Sequence, residues 1–213
     1  HYIKNLFGLG LNFFLISIGT IVLFNTNNIL ITKMFGPEDV ANYNVLYRYF
    51  NFSFMFFAIV ITPFWSAFTE AYVKKDFEWI KKVIKKIQIV WILLSLLIVF
   101  LLIIDRYAIR LWVGSQIKFT SILSFSIAIY FIVFIWQTIY IQFLNGVGKV
   151  RLQLITLIIA TAIHIPFAIY LAKRIGVAGI IISQNILFSI MGFIFFLQYK
   201  KIITQSAKNI WNK

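Results

Sequence analysis

No cysteine occurs among the 213 residues, so neither a disulfide framework nor a thiolate metal site is open to this chain. Acidic residues are almost as scarce. Six Asp and Glu stand against twenty Lys and Arg, and charged side chains make up only 12% of the sequence. A water-soluble domain carries roughly twice that share of charge, so water is not the main solvent here. Histidine is limited to His1 and His164, with no carboxylate near either in sequence, which removes the usual metal-ligand clusters. Phosphate-binding glycine loops, nucleophile elbows and paired carboxylates are missing too. No catalytic chemistry and no cofactor are therefore expected.

What remains is oil and positive charge. Hydrophobic residues make up 62% and the mean hydropathy is +0.92. A bilayer core about 30 Å thick needs roughly 20 apolar residues per helix. Six stretches meet that length, at about 6–32, 43–69, 86–104, 121–145, 150–172 and 177–198. The runs are too long and continuous for the alternating ten-residue segments of a membrane β-barrel. The expected fold is an all-α polytopic membrane protein, a bundle of six transmembrane helices.

Positive charge sets the orientation. One side collects thirteen basic residues, including Lys4, Lys74, Lys75, Lys81, Lys82, Lys85, Lys86, Lys149, Arg151 and the four lysines from Lys200 onward. The other side holds six: Lys33, Arg106, Arg110, Lys118, Lys173 and Arg174. The richer side is expected to be cytoplasmic, with both termini inside. Scattered over loops on both faces, the cations do not form a nucleic-acid patch. The chain begins at His1 without a Met or a signal pattern, and so reads as part of something longer.

Between the second and third stretches, Val73, Phe77, Ile80, Ile84 and Ile87 fall on one helical stripe flanked by lysines. That pattern predicts an amphipathic helix over about 70–86, lying on the cytoplasmic membrane surface among anionic lipids. Pro63 predicts a kink near the end of the second span. Gly176, Gly179 and Ser183 share a face small enough for close helix packing.

Polar residues inside spans are costly and are the default functional candidates. Residues Asn25, Thr26, Asn27 and Asn28 interrupt the first span. At 100° per residue they spread around the whole helix, with Asn27 and Asn28 sharing a sector with Thr20 and Ser17, and Asn25 close to Asn28. Thr26 is the outlier, free to bond its own backbone. The cluster is read either as helix-packing amides or as the lining of a wet cavity that contacts sugars or a cation. Arg48 lies in the second span with no carboxylate one turn away; snorkelling to the headgroups competes with phosphate binding, and the lack of a local partner favours the latter. Gln153, Thr156 and His164 lie on one polar stripe, His164 beside the helix-kinking Pro166 and able to act as a proton site. Gln137 and neighbouring amides of the fourth span add to an interior suited to hydroxyl-rich ligands.

The run "NTNNILITKMFGPEDVANYNVLYRYFNFSFMFFAIVITPFWSAFTEAYVKKDFEWIKK" resembles the seventh and eighth helices of bacterial polysaccharide flippases. These export O-antigen and capsule repeat units within the multidrug/oligosaccharidyl-lipid/polysaccharide exporter superfamily. "FLNGVGKVRLQLITLIIATAIHIPFAIYLAKRIGVAGIIIS" resembles their tenth to twelfth helices. The resemblance implies one lobe of a two-lobed transporter, the C-terminal one, working with an N-terminal six-helix lobe in the bacterial inner membrane. It implies flipping of undecaprenyl-pyrophosphate-linked oligosaccharide from the inner to the outer leaflet. Arg48 matches a position where the family commonly has a basic residue, which would hold the pyrophosphate. The family often has an Asp where this chain has Asn27, which weakens a family-style cation site and shifts any coupling toward His164. A multidrug or organic-cation extruder of the same superfamily, marked by buried acids, and a non-transporting scaffold subunit are the competing readings.

Overall fold

The computed structural model describes the backbone of residues 2–213 and side chains from residue 10 onward; His1 and the side chain of Lys4 lie outside that range. The described residues fold into helices and turns only: α1 (Tyr2–Phe35), α2 (Pro37–Ile61), α3 (Phe64–Val73), α4 (Phe77–Val113), α5 (Ser121–Gly146), α6 (Arg151–Ile175) and α7 (Val177–Ile203), followed by a 3-10 turn at Asn209–Asn212. Six of the seven α-helices are long and apolar enough to cross a membrane. Exposed Ile, Leu and Phe side chains along them, such as Phe14, Ile59, Leu96 and Ile158, meet acyl chains, where apolar exposure carries no penalty. This is a multi-pass membrane protein.

Helix ends are set by local chemistry. Gly36 takes φ 99°, a conformation glycine adopts without strain, and Pro37 then opens α2 at the position that needs no N–H donor. Asp76 caps α4 by accepting from the Trp79 N–H, and Thr120 caps α5 by accepting from Leu123. Alternating directions bring Lys33, Arg106, Arg110, Lys118, Lys173 and Arg174 to one end of the bundle. The segments from Lys74 to Lys86, Lys149 to Arg151 and Lys200 onward lie at the other, the lysine-rich end. There Lys201 sits 4.2 Å over the Trp211 ring, and Gln198 Nε2 donates to the Trp211 carbonyl, tying the C-terminal turn to α7.

Several boundaries differ from the sequence expectation. The second span does not run through to 69: α2 stops at Ile61, residues 62 and 63 turn, and α3 begins anew at Phe64. Pro63 lacks the N–H that would continue the ladder, and the Thr62 hydroxyl takes up the Ala58 carbonyl at 2.6 Å. Nor is there a separate surface helix over 70–86. Residues 74–76 break it, with Lys75 at φ 57°, and the lysine-flanked part is the first third of the continuous 37-residue α4. Its stripe of Ile80, Val83, Ile84 and Ile87 is buried against the bundle rather than in lipid, while Val73 points outward. The periodicity was real, but its partner is protein. Exposed pairs Lys74–Glu70 and Lys81–Glu78 decorate this region, and the Lys74 hydrogen bond holds the Glu70 carboxyl below its usual pKa.

α7 packs between α5 and α6 at the centre. The α6–α7 contact is unusually close: a Cβ on Gly179 would fall 2.4 Å from the Leu171 carbonyl carbon of α6. Backbone cannot yield as a flexible side chain does, so glycine at 179 is a steric requirement, whereas Gly176 has open space around it. Gly179→Val is expected to cost about 2–3 kcal/mol by forcing the helices apart. Thermal unfolding in detergent should show a clear drop, whereas Gly10→Ala, with nothing within 4 Å, should leave the midpoint unchanged.

Candidate functional site

The asparagine cluster of α1 divides between two environments. Asn25 and Asn28 face a cleft of about 320 Å³ between α1, α2 and α5, lined also by Tyr43, Asn44, Tyr47, Asn51 and the rings of Phe24, Phe54 and Phe134. Across it, Asn44 Nδ2 donates to Asn28 Oδ1 at 3.1 Å, joining α1 to α2 by an amide pair. The aromatic wall is continuous: Tyr47 lies 5.8 Å from Tyr43 and 5.1 Å from Phe131, and Tyr130 stacks on Phe134 at 5.5 Å. Amides offer both donors and acceptors, and ring faces offer apolar surface. The combination suits a ligand bearing hydroxyls on an apolar frame.

Asn27 is not in that cleft. One residue round the helix, it is 1% exposed and points into a polar knot between α1, α6 and α7. Its Nδ2 donates to Gln184 Oε1 at 2.5 Å, and its Oδ1 lies 2.9 Å from His164 Nε2. His164 Nδ1 lies 3.0 Å from Ser183 Oγ, which itself donates to the Ile180 carbonyl at 2.8 Å. Among the described residues no carboxylate or cation bonds to the ring. The Ser183 hydroxyl can point to the Ile180 carbonyl or to Nδ1, and a neutral ring is satisfied with Nε2–H donating to Asn27 Oδ1 and Nδ1 accepting from Ser183. Thr26 behaves as its sequence suggests, bonding the Val22 carbonyl at 2.8 Å.

Gln137 and Gln153 meet elsewhere again, in a small cavity of about 60 Å³ with Thr20 and Leu157. Both Oε1 atoms are buried without a hydrogen-bond partner, in a space polar and roomy enough for a water. Thr156 spends its hydroxyl on the Leu152 and Gln153 carbonyls of its own helix.

Arg48 makes no hydrogen bond or ion pair among the described residues, and it is exposed. It is not part of the cleft wall, but it stands beside it: Asn44, Tyr47, Arg48 and Asn51 fit within about 100° of arc on α2. Because α2 starts at Pro37, Arg48 is deeper than a span beginning at 43 implied, about 14 Å along the axis from Asp39. That is beyond the reach of one arginine side chain to the charged end, so snorkelling loses weight.

Sequence reasoning missed the tyrosine wall and did not place Asn44 and Asn51 at the site. It also placed no acid within a span. Asp105 lies inside α4, which runs nine residues past the expected 104 to Val113; it is buried and accepts a hydrogen bond from Ser124 Oγ. The signal was available, since "IIDRYAIRLWV" keeps helical spacing beyond the charged pair.

A six-helix membrane bundle with an amide-and-tyrosine cleft and a separate imidazole knot defines a helical membrane protein with a polar interior. The MatE family profile matches residues 12–171, three quarters of the chain, and the chain belongs to the MatE family. It is also similar to the "Putative O-antigen transporter" of Salmonella typhimurium, with 26% identity over 186 residues, 85% of this chain and 43% of that protein. The chain therefore spans less than half the length of that curated relative. No solved structure matches it.

Proposed function

We propose that this chain is one lobe of a two-lobed exporter that moves undecaprenyl-pyrophosphate-linked oligosaccharide from the inner to the outer leaflet of the bacterial inner membrane, its lysine-rich end facing the cytoplasm. The N-terminal lobe of the same machine would close the cleft from the far side, and the task is transport rather than catalysis. One observation carries this reading: a cleft of amides and tyrosines inside a membrane bundle, with an unpaired guanidinium on the adjoining helix face. Amides of Asn25, Asn28, Asn44 and Asn51 would bond sugar hydroxyls, and Arg48 would take the pyrophosphate in the fork geometry that guanidinium offers. His164 would bind and release the coupling proton, with Asn27, Ser183 and Gln184 holding the ring. In this reading Gln137, Gln153 and Thr156 keep the α1–α5–α6 seam polar behind the cleft and do not touch the sugar. The "O-antigen transporter" similarity supports the same class of cargo.

The paired variant Asn28→Leu/Asn44→Leu tests the cleft. In cells lacking the natural gene product, surface polysaccharide should fall about tenfold or more with the full-length variant, since each unpaired cargo hydroxyl costs on the order of 1 kcal/mol. Normal surface polysaccharide at normal membrane levels would overturn the assignment. A second reading, an organic-cation extruder, gains from the buried Asp105. That carboxylate, however, lies outside the cleft wall and is already engaged by Ser124. Asp105→Asn should leave polysaccharide export intact and would abolish drug resistance if the second reading held.

A further inference from the structure

The end of the bundle opposite the lysines carries a second concave feature that the cleft does not use. A pocket of about 340 Å³ opens where α4 stops and the chain turns toward α5, walled by Arg106, Ile109, Arg110, Ser115, Lys118 and Phe119. Three cations line it and no acid does. The two ion pairs among the described residues, Lys74–Glu70 and Lys81–Glu78, both lie at the far end. Asp105, next in sequence to Arg106, is turned inward to Ser124. Asp39 lines the neighbouring cleft beside Lys118 but forms no ion pair with it. Arg106 Nη2 donates to Ser121 Oγ at 2.8 Å, which holds one guanidinium in place.

A helix C-terminus attracts cations by itself, so Arg110 in the last turn of α4 has a plain structural role. The magnitudes decide against that as the whole account. The α4 terminus offers about half a negative charge, and the α5 N-terminus beside it cancels much of that. Three cations remain largely uncompensated.

Directly alongside, α4 presents Leu96, Phe100, Ile103, Tyr107 and Leu111 outward as one apolar stripe. By helical spacing that stripe lies within about 20–100° of Arg110. An apolar rail ending in a cationic cup is complementary to one molecule: acyl chains along the rail, a negatively charged phosphate in the cup.

We propose that Arg106, Arg110 and Lys118 form a binding site for the phosphate of an anionic phospholipid in the leaflet at this end, with its chains lying on the exposed α4 stripe. This does not rest on the transport reading. The ligand chemistry is a phosphate carrying net negative charge; the apolar rail selects a lipid over the free ion.

Native mass spectrometry of the whole chain, released from neutral detergent with equal phosphatidylglycerol and phosphatidylcholine, reads this directly. Wild type should retain phosphatidylglycerol preferentially, and R106Q/R110Q/K118Q should lose that preference by on the order of a hundredfold. The control K74Q/K82Q/K85Q, at the far end, should keep it. Arg110→Gln alone should lower it partway, which gives a reading even if the triple variant is poorly made. Retention of the preference in the triple variant, or equal loss in the control, overturns the site. Displacement of the lipid by millimolar inorganic phosphate would assign the cup to a free anion and overturn the lipid.

Discussion

Arg48→Ala, in the full-length protein, is expected to abolish surface polysaccharide while leaving the protein inserted at normal amounts. The folded chain gives the reason for both halves of that outcome. Arg48 is exposed and bonds to nothing among the described residues, so its removal takes away no structural contact and should not lower stability. Its Cα stands about 14 Å along α2 from that of Asp39, deep for a charge to be solvated cheaply by headgroups at that end. A charge held at that depth without a partner must be compensated by something that arrives, and the adjoining cleft is where a hydroxylated cargo would lie. Truncating one side of a desolvated guanidinium–phosphate pair costs about 2–5 kcal/mol, a thirtyfold to several-thousandfold loss. Arg48→Lys sharpens the test. It restores the charge but not the planar fork, so partial export is expected, between that of wild type and Arg48→Ala. Immunoblotting of membranes and staining of surface polysaccharide in the same cells check both halves. Full export by the alanine variant would remove Arg48 from the mechanism.

The fold was nearly all legible before any coordinates. Long apolar runs fix spans because lipid leaves the backbone no other way to satisfy its hydrogen bonds. The four helices with clean ends, α1, α5, α6 and α7, lie within a few residues of their expected bounds. The failures cluster where a residue pattern has two physical causes. An amphipathic stripe such as Ile80, Ile84 and Ile87 can meet lipid or protein, and periodicity does not say which. A charge such as Asp105 or Arg106 usually marks a membrane boundary, yet α4 carries its helix through both because Ser124 takes up the carboxylate.

The site was legible residue by residue but not as an arrangement. The polar side chains named from sequence fall into three places: Asn25 and Asn28 at the cleft with Arg48 beside it, Asn27 with His164 in the knot, and Gln137 with Gln153 in a small cavity. A helical wheel put Asn27 with Asn28, whereas the α6 and α7 side chains that reach Asn27 are more than a hundred residues away in sequence. The cleft's tyrosines were invisible for a related reason. A tyrosine in a span reads as an interfacial anchor until its ring is seen beside the amides of another helix.

The second large effect belongs to that knot. His164→Ala should destabilise the bundle by about 3 kcal/mol, combining a cavity at a fully buried position with the loss of the ring bonds to Asn27 and Ser183. For a chain of this size that is a fall of roughly 6–12 °C in the unfolding midpoint. His164→Gln separates the scaffold from the proton. Glutamine can bond both Asn27 and Ser183 but cannot titrate, so much of the stability should return while any pH dependence of export disappears. Ser183→Ala makes the complementary change: the ring keeps its proton-binding nitrogen and its Asn27 contact, but no hydroxyl remains to swing between Ile180 and Nδ1. Removing that partner disfavours one protonation state relative to the other, so the pH profile of export should shift rather than vanish. A His164→Gln protein that exports with the wild-type pH profile would reduce the knot to helix packing. A flat profile in His164→Gln beside a displaced one in Ser183→Ala would make the imidazole the group that takes up the proton, because a purely structural role predicts the same profile in both.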